Sequence, residues 1–96
     1  MEVIVAIDLE DLSNEEAFIA HLEKEGLERI EDEKGFVFSG VSSTPVMQTR
    51  VFIMEVVQKA LEKSPAKFCN MVCLIGENPM ESYRFDKASN TFVEAK

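Results

Sequence analysis

The chain has no tryptophan, one tyrosine (Tyr83), one histidine (His21) and two cysteines, Cys69 and Cys73. Two cysteines four residues apart are not a disulfide framework. In a strand their Cα atoms would lie ~13 Å apart, beyond disulfide reach. They do not form C-x-x-C, and His21 is distant in sequence, so no metal-binding Cys/His spacing arises. Both read as buried structural thiols, which suits a reduced, cytoplasmic setting. Long apolar runs are also missing, and nothing approaches the ~20 residues of a membrane span. Residues 3–7 are apolar, but Glu2 precedes them, where a signal peptide wants positive charge. There is no glycine-rich phosphate loop. Nucleophilic catalysis needs a base beside Ser or Cys, and no spacing links His21 to either thiol. Positive charge is scarce, with ten Lys and Arg against 18 Asp and Glu, a net −8. That balance argues against broad affinity for nucleic-acid backbones, which needs clustered bases.

What is present is apolar content for one core. The chain has 96 residues, 46% of them hydrophobic, which makes a single domain. Residues 3–7 form a β-branched run closed by Asp8, a strand with both faces apolar. Ser13-Asn14-Glu15-Glu16 supplies a capping box for a helix over about 14–25, with Ala17, Phe18, His21 and Leu22 facing inward. Gly26 ends it. Residues 27–32 suit a charged edge strand, and Asp32-Glu33-Lys34-Gly35 a turn. Residues 36–41 read as a strand with Gly40 as a bulge. Pro45 marks the first position of a second helix, which Pro65 stops after Lys63. Val46, Met47, Val51, Ile53, Met54, Val57, Ala60 and Leu61 fill its core face. Phe52 falls among the polar residues and reads as an interface candidate. Residues 67–76 form the last core strand, and residues 82–94 a short C-terminal hairpin.

The element order β-α-β-β-α-β plus a terminal hairpin predicts an α+β, ferredoxin-like sandwich. Two helices then cover one face of a four-stranded sheet and leave the other open. Strands 3–7 and 69–75 carry apolar residues at both parities, so Ile4, Ala6, Val72 or Leu74, or their alternates, must lie on the open face. Such a patch marks a contact surface. Either a second copy stacks on it, making a homodimer, or the hairpin folds over it.

Acid is concentrated at one end. Residues 1–33 hold 12 of the 18 acids and two bases, Lys24 and Arg29, a net −10. Glu15, Glu16, Glu23 and Glu25 on the first helix, with Glu28, Glu31, Asp32 and Glu33 after it, predict one acidic surface suited to a basic partner protein. The leading expectation is thus a small acidic regulatory or inhibitory module that binds protein, without cofactor and without a membrane role.

Two resemblances supply alternatives. Val5-Ala6-Ile7-Asp8-Leu9, the element order and the strands after residue 80 resemble the small CRISPR adaptation nuclease-like proteins, including the virulence-associated toxin family D. The resemblance implies ferredoxin-like dimers, some of which cut RNA. It implies a strand-end aspartate at Asp8 holding Mg²⁺, and a swapped terminal strand near residues 83–92. Carboxylates at a strand end, here Asp8 with Glu10 and Asp11, are a suitable donor type. Lys34-Gly35-Phe36-Val37-Phe38 resembles the start of the ribonucleoprotein octapeptide of RNA recognition motifs. That implies base stacking on Phe36 and Phe38, the third expectation.

Overall fold

A computed structural model of the chain describes residues 1–30 and 35–95. The elements are β1 (Glu2–Glu10), α1 (Glu15–Lys24), β2 (Glu28–Arg29), β3 (Phe36–Val41), α2 (Val46–Lys63), β4 (Phe68–Ile75), β5 (Glu81–Asp86) and β6 (Thr91–Glu94). They build one antiparallel sheet in the order β2-β3-β1-β4-β5-β6. The first four strands with the two helices have the ferredoxin-like arrangement. The sheet has six strands rather than four, because the C-terminal hairpin pairs with β4 and continues it sideways. The hairpin therefore does not cover the open face. Its placement sets β1 and β4 at the sheet's centre.

One parity of each strand is buried under the helices. Val3, Val5 and Ile7 of β1 and Cys69, Met71, Cys73 and Ile75 of β4 join Phe38 in the core. From α1 they meet Phe18 and Leu22, and from α2 Ile53, Val56, Val57, Ala60 and Leu61. The other parity, beginning with Ile4 and Leu74, faces outward.

Several local expectations are corrected. β1 runs on to Glu10, so Asp8 lies inside the strand, paired with Asn70, and not at its end. Asn14, not Ser13, caps α1. Its side chain accepts from the Ala17 amide at 3.1 Å, leaving Ser13 free to donate its own amide to the Pro65 carbonyl. Pro45 precedes α2 with extended backbone rather than opening it. On α2, Met47 and Val51 are exposed, while Thr49 and Val56 are buried. The helix is therefore rotated from its expected setting. Gly40 is not a bulge, since β1 and β3 pair without interruption from Glu2↔Val41 to Ile7↔Phe36. A side chain there would start 3.1 Å from the Gly26 carbonyl oxygen, so glycine is needed for the close passage of the α1–β2 turn. β2 is confined to two residues, and the expected turn at Asp32, Glu33 and Lys34 lies outside the described residues.

The helices are fastened at one corner by Ser64, which is fully buried. Its hydroxyl donates to the Asn14 carbonyl at 2.6 Å and accepts from the Asn14 amide at 2.8 Å. The end of α2 is thereby held to the start of α1.

Candidate interaction surface

The open face is ordered in cross-strand rows. One row runs Glu28, Ser39, Ile4, Leu74 across β2, β3, β1 and β4. The next runs Val37, Ala6, Val72, Ser82. A third runs Asp8, Asn70, Arg84, Val93. Glu10 and Phe68 pair beyond it. Ile4, Leu74 and Phe68 are 40%, 39% and 37% exposed, which is high for large side chains at the middle of a sheet. Ala6, Val37, Val72 and Val93 are half-buried around them. The apolar stripe follows β1 and β4, with charge at its margins in Asp8, Glu28 and Arg84.

The acidic residues wrap one flank instead of tiling one plane. Glu15, Glu16, Glu23 and Glu25 are exposed on α1, on the helix side of the sheet. Glu28 pairs with Ser39 and so shares the open-face parity. The acid thus turns around the β2 edge. Its counter-charge is small, since Arg29 lies 3.8 Å from Glu15 and over the Phe36 ring. Glu31, Asp32 and Glu33 lie outside the described residues.

Asp8 is exposed on the open face. Its cross-strand neighbour on β4 is Asn70, and Glu10 on the same face pairs with Lys67 at 3.7 Å. Among the described residues no group of three or more His, Cys, Asp or Glu lies placed to hold a metal ion. The described residues of one subunit therefore bring fewer than three such groups together, against the several oxygen ligands that Mg²⁺ takes.

Phe36 and Phe38 do not support base stacking. Both point to the helix side, where Phe38 is fully buried and Phe36 packs edge-on against Phe18 at 5.9 Å between ring centroids. Their two-residue spacing does put them on one face, as expected, but that face is the core.

Phe52 is 43% exposed and borders an apolar groove of about 430 Å³ between the end of α1 and the start of α2, with Leu27, Val3 and Val41. It is thus displayed at a concave place, as an interface residue would be.

A polar cluster was not foreseen. Arg50 of α2 holds Glu81 of β5 with two hydrogen bonds, Nε to Oε1 at 2.5 Å and a terminal nitrogen to Oε2 at 3.0 Å. The Tyr83 hydroxyl donates to the same Oε1. Arg50 holds the Glu81 carboxyl below its ordinary pKa, while burial and Glu81 push Tyr83 up to about 12. The three residues line a cleft of about 570 Å³ with Asn78, Met80 and Glu94. Glu81 and Tyr83 alternate correctly for one strand face, but 31 residues separate Arg50 from Glu81, and no local pattern links them. The cleft holds a satisfied ion pair. The thiols are equally quiet, since burial pushes Cys69 up to about 12 and Cys73 up to about 11.

Comparison with protein-family models, with curated proteins and with solved structures finds no match for this chain. No helix among the described residues is long and apolar enough to cross a membrane.

Proposed function

We propose that this chain is a protein-binding module of regulatory or inhibitory type, working as a homodimer in a reducing cytoplasm. The uncovered apolar stripe of Ile4, Ala6, Val37, Val72, Leu74 and Phe68 carries this reading. The chain's own hairpin lies beside β4 rather than over the stripe, and a sheet exposing such a stripe gains from being covered. The acidic flank of Glu15, Glu16, Glu23, Glu25 and Glu28 stays at the opposite margin from β5 and β6, free to meet a basic partner surface. Opposite charges speed and orient such an encounter.

Sedimentation velocity over a dilution series tests the first half. A dimer is expected, and Leu74→Lys should convert it to a monomer with an unchanged circular dichroism spectrum, because Leu74 lies on the open face and outside the buried core. A wild-type chain that stays monomeric throughout removes the reading.

A further inference from the structure

We infer that the open face takes a second copy of this chain about a two-fold axis running along β4, so that Asp8 of each subunit pairs with Arg84 of the other. This rests on the homodimer reading above and specifies its geometry.

The row structure of the face carries the inference. Sheets stacked face to face keep their strand directions within ~30° of one another. A two-fold axis lying between two such sheets, along the strands, preserves height along the strand and reverses strand order. With the axis on β4, each β4 lies against the partner's β4, and β1 lies against the partner's β5. Asp8 and Arg84 occupy the same row, one strand to either side of Asn70. They therefore face each other twice across the interface, an acid against a base each time.

The remaining rows are compatible. Leu74 and Val72 meet their own copies on the axis. Extending the β4–β5 register by one step sets Met80, 64% exposed, beside Leu74. Ile4 then meets the partner's Met80, and Ala6 the partner's Ser82. Asn70 also lies on the axis and meets its own copy, and two facing amides can hydrogen-bond to each other. One row opposes like charges, Glu10 against the partner's Asp86. It lies at the end of the sheet, where crossed strands diverge, and Lys67 already accompanies Glu10.

The neighbouring choice of axis is worse. Placed on β1, it sets Asp8 against the partner's Asp8, two carboxylates in a partly desolvated interface. That alternative is also the one a shared metal at Asp8 would require. The position of the axis thus separates the protein-binding reading from the endoribonuclease reading.

Charge reversal and crosslinking test the geometry on the full chain. Asp8→Arg alone and Arg84→Asp alone should each raise the dimer dissociation constant roughly tenfold or more, and the doubly reversed chain should recover most of the loss. A short bis-maleimide spans sheets ~10 Å apart, so Val72→Cys should be captured as a covalent dimer. Ala6→Cys, displaced by two strand spacings from its own copy, should not. Cys69 and Cys73 are buried toward the helices and stay silent. Thermal unfolding of each variant confirms that it folds. Capture through Ala6→Cys and not Val72→Cys, or a dimer indifferent to both reversals, overturns the axis and leaves the homodimer standing. A monomeric wild type overturns both.

Discussion

His21 shows how much one residue's setting can differ from its sequence context. It was legible as part of an inward helical stripe, and it is 9% exposed in the α1–α2 interface. Its Nδ1 lies 3.3 Å from the Lys63 ammonium, and its Nε2 has no partner. Burial first, then Lys63, lowers its pKa below 6.5, with Lys24 and Lys59 adding to the effect and Glu25 opposing it. The unfolded chain therefore takes up this proton at higher pH than the folded one. The associated stability is fully present above pH 6.5 and is lost as pH falls through the lowered value. Urea-unfolding midpoints followed downward from neutrality should decline in that window, and His21→Leu should flatten the decline. Glu81, whose carboxyl is held below 4.5 by Arg50, acts in a separate window under that value. The lysines that set His21 were not readable beforehand, because Lys59 and Lys63 belong to a helix some forty residues away, and only packing brings them near.

Among the elements, strand and helix order was legible almost in full, since period-two and period-3.6 patterns are local and strong. What sequence could not give was how elements meet. The Ser13–Glu16 spacing suggested a capping box, yet Asn14 caps α1 because Ser64 claims the Asn14 backbone. Ser64→Ala removes both the acceptor for that amide and the donor to that carbonyl in a buried place. It should lower stability by about 2 kcal/mol, read as a shift in the urea midpoint with unchanged slope. An unaltered midpoint would mean that the two helices hold their corner without it. β2 was read from a charged tract, and among the described residues it covers Glu28–Arg29. The hairpin was recognised as a hairpin, but its partner edge was not, since nothing in residues 82–94 distinguishes lying beside β4 from lying over it.

For the whole molecule, the net charge of each end of the chain was readable by counting, and it survives folding as an acidic flank around the β2 edge. The apolar surplus of β1 and β4 was equally readable, and which parity faces outward was decided by the helices. Two surfaces follow, the apolar stripe centred on β1 and β4 and the acidic flank on α1 and the β2 edge. The flank should therefore remain available in the dimer. A purified polybasic protein should bind the dimer with an affinity that falls as salt rises. Glu16→Lys, Glu23→Lys and Glu28→Lys together should abolish that binding while leaving the sedimentation coefficient unchanged. Binding that survives the triple reversal would take the flank out of the proposed function.

The central place of β1 also bears on how the chain is made. Val5 sits between Phe38 and Cys73, so this strand needs neighbours that emerge later in translation. Until β4 has left the ribosome, a β-branched segment waits with an unmet edge, which is a recipe for nascent-chain association. A helper that grips short extended apolar segments would find a target in residues 3–7 until β4 emerges.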